Sequence, residues 1–124
     1  MAIHVVKPAK KFAGSPTIPG DKSVSHRGLI FGALSTGTTV ITNLLNSGDV
    51  NSTASCLRQM GAVIENKTEN GVRKTFVTGF GERGPQSPKQ ILECGNSGTT
   101  MRLLMGVLCG IPGFQANMTL HRSP

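Results

Sequence analysis

Two short stretches hold most of the side chains able to do chemistry. Residues 20–27 read G-D-K-S-V-S-H-R and continue into G-L-I-F-G-A-L, so Lys22, Ser23 and Arg27 stand at the head of an otherwise apolar segment. Residues 95–102 read G-N-S-G-T-T-M-R, and place Asn96 and Gly98 at the head of a second apolar run. The chemistry this predicts is anion binding. A helix start carries backbone N–H groups without intrahelical partners and a partial positive charge, which together make a prepared anion site. In the first stretch Lys22 adds a mobile ammonium and Ser23 a hydroxyl donor. Arg27, four residues after Ser23 and on its helical face, adds a planar fork suited to phosphate oxygens. In the second stretch Asn96 offers an amide, while Gly95 and Gly98 lack side chains and let a ligand approach the backbone. Two such starts facing one another predict two bound anionic groups.

A plainer reading stands beside this one. Asp21 and Ser97 serve as ordinary helix caps, Lys22 and Arg27 are solvated, and the glycines make tight turns. Arg102 weighs against it, as the only charge among Met101, Leu103, Leu104, Met105, Val107 and Leu108. A charge on a helix that is apolar all round points at a ligand or a structural carboxylate. His26 has no second His or Cys near it and reads as structural, not as a catalytic group or a metal ligand. Lys7, Lys10 and Lys11 read as a solvated face, and Cys56 and Cys109 as packing. Neither G-x-G-x-x-G nor G-x-x-x-x-G-K-[ST] occurs, so no dinucleotide fold and no P-loop is supported.

The elements that must position these groups follow from pattern and punctuation. His4 to Val6 reads as a short strand and Lys7 to Pro19 as an extended connection. Asp21 caps a helix running to about Leu34 and closed at Gly37 by S-T-G. Thr38 to Asn43 is β-branched and reads as a strand. Asp49 caps a second helix with Val50, Ala54, Leu57 and Gly61 on one stripe. Ala62 to Lys67 and Arg73 to Thr78 form two strands joined through the hairpin signal T-E-N-G. After a loop from Gly79 to Pro88, a strand at Ile91 to Cys94 leads into a third helix, Thr99 to about Cys109, and a final strand spans Phe114 to Leu120. A shift of 74 residues lays L-I-F-G-A-L, Leu29 to Leu34, on L-L-M-G-V-L, Leu103 to Leu108, and Ser23 on Ser97. The order is β-α-β-α-β-β followed by β-α-β, an α/β chain of about one and a half repeats of one unit.

Composition narrows the partner. The 124 residues suffice for one core, and thirteen Lys and Arg against six Asp and Glu give a net charge of +7. A basic nucleic-acid-binding domain is an alternative that the charge alone supports, since five Phe with no Trp or Tyr supply few stacking platforms. A small anion is favoured. Three cysteines without a C-x-x-C pair point to neither zinc nor a disulfide framework. With no leader-like start and no membrane-length apolar run, a cytoplasmic protein without nucleic-acid or membrane partners is expected.

P-G-D-K-S-V-S-H-R and G-N-S-G-T-T-M-R resemble the two N-terminal signatures of the 5-enolpyruvylshikimate-3-phosphate synthase family. G-T-T-V-I-T-N-L-L and L-R-Q-M-G-A lie between them in that family's order, and the resemblance runs from Lys7 to about Leu120. The related family that transfers enolpyruvate to UDP-N-acetylglucosamine has Lys-Asn where this chain has Lys22-Ser23. The resemblance implies the enolpyruvyl transferase fold of repeated βαβαββ units, with residues 1–20 as N-terminal strand and interdomain connection and 21–124 as part of the first of two domains. It implies transfer of the enolpyruvyl group of phosphoenolpyruvate to the 5-hydroxyl of shikimate 3-phosphate, in the shikimate pathway of aromatic amino acid biosynthesis, with no cofactor or metal. Carried over, Lys22 acts in catalysis and touches both substrates, Ser23 and Arg27 hold shikimate 3-phosphate, and Asn96 and Gly98 line the phosphoenolpyruvate site. The family's inhibitor glyphosate occupies that second site; Leu103 stands where many sensitive members have proline. Beyond Leu120 the family continues with Gly-Asp and a Lys-Arg-Pro-Met segment, whereas this chain reads H-R-S-P, and Arg122 is not expected to replace the arginine of that segment. The family's second domain has no counterpart here. The chain is therefore expected to hold half of a cleft, active with a complementary chain or else a non-catalytic anion-binding fragment, with self-association through its open faces as an outcome.

Overall fold

The computed structural model describes residues 1–121. Three helices and five strands form in the order α1 (Lys22–Leu34), β1 (Thr38–Thr42), α2 (Gly48–Gln59), β2 (Val63–Glu69), β3 (Val72–Thr78), β4 (Leu92–Glu93), α3 (Gly98–Cys109), β5 (Met118–Thr119). The strand expected at His4 to Val6 does not form. Residues 1–19 are exposed, and no described strand pairs with them, so their backbone groups are left open to solvent.

The hairpin is the most local feature and follows its signal closely. Asn70 and Gly71 take φ of 51° and 74°, the left-handed pair that a two-residue turn matching strand twist requires. The turn sets the register, with Glu69 opposite Val72 and Val63 opposite Thr78. β1 pairs on the other side of β3, also antiparallel, so the sheet order is β1-β3-β2 and the parallel outer strands are joined by α2. Alternation then sorts side chains. Thr39, Val77 and Ile64 face the helices, while Val40, Phe76 and Glu65 face outward, where the Lys67 ammonium sits 5.4 Å from the Phe76 ring centre.

Under the helices lies one apolar core. Leu29, Ile30 and Ala33 of α1 meet Val50, Ala54 and Leu57 of α2, together with Met60, Val77, Leu92, Leu104 and Leu108. The second sheet is smaller than expected: Ile91 to Cys94 contracts to two residues and Phe114 to Leu120 to Met118–Thr119, paired in parallel across α3. Its ends are extended by single bonds, Leu92 N–H to Asn117 O at 2.8 Å and Cys94 N–H to Thr119 O at 2.9 Å. α1 also ends differently from expectation. Ser35, in extended conformation, closes it by donating its hydroxyl to Gly32 O at 2.7 Å, so the last turn is satisfied before Gly37 is reached. Among the described residues no helix is long and apolar enough to cross a membrane.

Candidate functional site

The starts of all three helices are capped by side chains and tied to one another. Asp21 Oδ1 accepts the Val24 N–H at 2.7 Å, Ser47 Oγ the Val50 N–H at 3.3 Å, and Ser97 Oγ the Thr100 N–H at 3.1 Å. The expected cap of α2, Asp49, is thus replaced by Ser47, since the helix already begins at Gly48 and Ser47 Oγ accepts the N–H three residues on. Asp49 lies in the first turn instead, where its charge suits the helix dipole and its carboxylate is free to act elsewhere. It bridges the other two helices. Its Oδ2 accepts from Lys22 Nζ at 3.3 Å, and its backbone carbonyl accepts from Thr100 Oγ1 at 3.2 Å.

Of the residues singled out in the sequence, Lys22 is half-exposed at the first position of α1. Ser23 follows it on the surface, and its carbonyl accepts from Arg27 Nη1 at 3.1 Å, which orients the exposed guanidinium one turn along. Asn96 is exposed just before the α3 cap. Gly98 opens α3, and a Cβ placed on it would meet nothing within 4 Å, so the space beside this helix start is open. No described residue accepts from the backbone N–H of Lys22, Ser23, Gly98 or Thr99. These four donors and the two cations are what an anion would meet.

Other expectations are corrected. Gly95 has φ of 58° and a Cβ there would lie 2.9 Å from Ser52 Oγ, so the turn itself already requires glycine, whether or not a ligand approaches. Arg102 is exposed, and no described carboxylate pairs with it. α3 is not buried all round: only Thr100, Leu104 and Leu108 are buried, so the helix offers Arg102 a solvated side. Cys109 is exposed, whereas Cys56 and Cys94 are buried. Burial pushes the Cys56 thiol up to about 12, with the Cys94 thiol beside it acting in the same direction. Arg122 lies outside the described residues.

Thr53 and Thr100, which sequence reading missed, join His26 and Ser97 in a buried polar chain behind the helix starts. His26 Nδ1 is 2.7 Å from Thr53 Oγ1, which is 2.7 Å from Thr100 Oγ1, which is 2.7 Å from Ser97 Oγ. One signal was present: Thr53 occupies a position on the inward stripe of α2, between Val50 and Leu57, where an apolar residue is expected. Burial holds the His26 imidazole below its ordinary value of 6.5; Asp49 opposes this, while Lys22 and Arg27 add to it. Among the described residues no group of three or more His, Cys, Asp and Glu lies together as a metal site would need. A groove of about 580 Å³ runs along α2 past Asn51, Ser52, Ser55 and Gln90 to Glu93. Its one charge is a carboxylate, so it is not where an anion would sit.

Comparison with known proteins agrees with the motifs. The model of the family EPSP synthase (3-phosphoshikimate 1-carboxyvinyltransferase) matches residues 6–120. The chain is similar to the 3-phosphoshikimate 1-carboxyvinyltransferase of Synechococcus sp. strain CC9605, 46% identical over 123 residues that cover 96% of this chain and 27% of that protein. With the enzyme of the same name from Synechococcus sp. strain RCC307 it shares 54% identity over 100 residues, covering 81% of this chain and 22% of the other. A solved structure, EPSP synthase from Acinetobacter baumannii, superposes with a TM-score of 0.73 at 44% identity, covering 86% of this chain and 23% of that one. The chain thus spans about a quarter of the length of these relatives and corresponds to their N-terminal part. The helices and strands described above are a portion of the enolpyruvyl transferase fold. On its motifs, its fold and a match that runs over nearly all of its residues, the chain belongs to the EPSP synthase family.

Proposed function

We propose that this chain supplies the N-terminal part of a site that transfers the enolpyruvyl group of phosphoenolpyruvate to the 5-hydroxyl of shikimate 3-phosphate. The observation that carries this is the joint anchoring of the α1 and α3 starts on Asp49, one by its carboxylate and the other by its carbonyl. In this reading residues 21–124 are part of a domain of repeated βαβαββ units and residues 1–20 a connection. Ser23 and Arg27 hold the shikimate phosphate, Asn96 and Gly98 line the phosphoenolpyruvate side, and Lys22 reaches both. The 5-hydroxyl oxygen bonds to C2 of phosphoenolpyruvate as C3 gains a proton and the hydroxyl loses one. The C2–O bond to phosphate then breaks as a C3 proton leaves, restoring the enol ether. Negative charge moves onto the departing phosphate, and fixed donors near it stabilise that change without reorganising. Lys22 is suited to this because it exchanges its partner: the ammonium held by Asp49 without substrate turns to the phosphate when one binds.

Groups from the remaining length of the family's proteins complete the reaction, on a complementary polypeptide or the same one. Isothermal titration of the chain with shikimate 3-phosphate tests the reading. Binding is expected, with at least tenfold weaker affinity in Lys22→Ala at unchanged circular dichroism. A chain that binds neither substrate, alone or mixed with a polypeptide carrying the rest of the family's length, sinks it. Phosphate release from the mixture on adding both substrates is the expected positive result.

A further inference from the structure

Anion binding at the surface makes no use of the polar chain beneath it. His26 is fully buried, and although Nδ1 has Thr53, Nε2 is buried with no described hydrogen-bond partner. The two ends of the chain touch the site. His26 adjoins Arg27 in sequence and lies one helical turn from Lys22, while Ser97 stands between Asn96 and Gly98.

The direction of the hydrogen bonds follows from counting protons. A hydroxyl has one proton to give and two lone pairs to receive with. The Asp49 carbonyl can only accept, so the 3.2 Å contact with Thr100 Oγ1 makes the Thr100 hydroxyl its donor. Ser97 Oγ, 2.7 Å away, is a second acceptor for that same proton and also takes the Thr100 N–H, so Thr100 has no proton left for Thr53 and accepts from it. Thr53, having donated toward Thr100, accepts from the ring, which puts the imidazole proton on Nδ1. Among the described buried side-chain atoms, the one left with no partner at all is Nε2, as a bare lone pair. The opposite tautomer turns the Thr53 and Thr100 hydroxyls around, withdraws the Thr100 proton from both Asp49 and Ser97, and buries an unpaired N–H. Orphaned N–H donors are rarer in proteins than under-satisfied acceptors.

We propose that His26 is a neutral positioning residue, protonated on Nδ1, whose hydrogen-bond chain through Thr53 and Thr100 holds the start of α1 in register with the start of α3. At 2.7 Å the two hydroxyl–hydroxyl links have the usual length of a well-formed bond and the ring-to-Thr53 link is shorter than most N–H···O bonds, and in a buried site of low dielectric such links reinforce one another. An apolar contact would let the helices slide; a chain of directed bonds does not. A second proton on the ring is disfavoured by burial and by Lys22 and Arg27, with only Asp49, already paired to Lys22, to offset them. The consequence for ligands rests on the two-substrate reading above, whereas the chain of bonds does not.

The test begins with ¹⁵N NMR of the His26 ring in the whole chain near neutral pH. A protonated Nδ1 and a bare Nε2 are expected, and a protonated Nε2 overturns the proposal. Thr53→Val removes the central hydroxyl at nearly constant shape. The Thr100 amide is expected to exchange with solvent at least tenfold faster in that variant, with the β2–β3 amides unchanged and Thr53→Ser restoring protection; unchanged exchange at Thr100 overturns the proposal. Should Thr53→Val not fold, His26→Asn and His26→Gln decide. The Asn amide donates from the place of Nδ1 and the Gln amide from that of Nε2, so Asn keeps Thr100 protected and Gln does not, and the reverse order overturns it. Affinity for shikimate 3-phosphate should fall at least tenfold in Thr53→Val and return in Thr53→Ser. Equal affinity in all three overturns the role in ligand positioning. If the unaltered chain fails to bind, the functional reading fails, while ring protonation and amide exchange still judge the proposal.

Discussion

α1 and α3 share an apolar hexapeptide, 74 residues apart, and fold to the same kind of helix, yet they are buried differently. α1 hides Ser25, His26, Leu29, Ile30, Gly32 and Ala33, a broad face, whereas α3 hides only Thr100, Leu104 and Leu108. Their caps are also out of step. Ser97 caps α3, but its counterpart Ser23 is already the second residue of α1, because Asp21 takes the capping role there. α1 lies over the central strand β3, which covers it; α3 crosses beside a sheet of two short strands, and Met105 remains 51% exposed. A shared pattern sets the helix, and the neighbours decide how much of it is core.

The sharpest break of this comparison is truncation of its matched leucines. Leu29 is fully buried, so Leu29→Ala is expected to cost about 2–5 kcal/mol, the range for leucines whose loss leaves a cavity. Leu103 is only partly buried, and Leu103→Ala should cost less than about 1.5 kcal/mol, since less apolar area leaves contact. Urea unfolding of both variants measures this, and equal losses remove the distinction between the helices.

The matched glycines should respond with opposite signs. A Cβ on Gly32 would lie 3.0 Å from Val77 Cγ1, and Val77 is a fully buried β-branched residue in the middle strand with no room to yield. Gly32→Ala is therefore expected to destabilise by about 1–3 kcal/mol despite its better helix propensity. A Cβ on Gly106 meets nothing within 4 Å, and Gly106→Ala should stabilise by about 0.5–1 kcal/mol. Paired thermal melts read both, and a shift in the same direction contradicts the account.

The caps give a smaller contrast. Asp21→Ala should cost about 1 kcal/mol for an exposed cap. Ser97→Ala should cost about 2 kcal/mol, because it also takes a partner from the buried Thr100 hydroxyl. Denaturant midpoints with unchanged slopes test the order of the two.

The smallest effect is pH dependence, present in α1 and absent from α3, which has no histidine. The folded state holds His26 below 6.5, so under that value the unfolded chain binds more protons than the folded one. This contribution to stability is intact above about pH 6.5 and is lost as pH falls from there through the folded-state value. Comparing melts across pH 5 to 7.5, His26→Asn should show a flatter fall than the unaltered chain; an identical slope assigns the fall to other groups.

Much of the proposed site was legible because anion chemistry at a helix start is local. Lys22, Ser23, Arg27, Asn96 and Gly98 could be found from charges and glycines bunched before apolar runs, and the Asn70-Gly71 turn from its dipeptide alone. Asp49 was seen and given the wrong task, since the choice between Ser47 and Asp49 as cap depends on where the chain enters the helix. Arg102 misled for a related reason: an apolar helix sequence does not say which of its sides will be covered. Thr53 and Thr100, 47 residues apart, carried no motif, and their 2.7 Å contact exists only because α2 and α3 pack side by side.

What the amino-acid sequence determined by itself was the kind of each main element, the family, and the polar groups placed at the first turns. These depend on neighbours within a few residues, or on motifs that survive without the fold. Tertiary structure alone decided that the starts of α1 and α3 meet on Asp49, that the His4–Val6 segment finds no strand to join, and that His26 becomes the buried end of a hydrogen-bond chain. Those outcomes depend on distances between residues far apart in the chain, and only packing brings them within reach of a hydrogen bond.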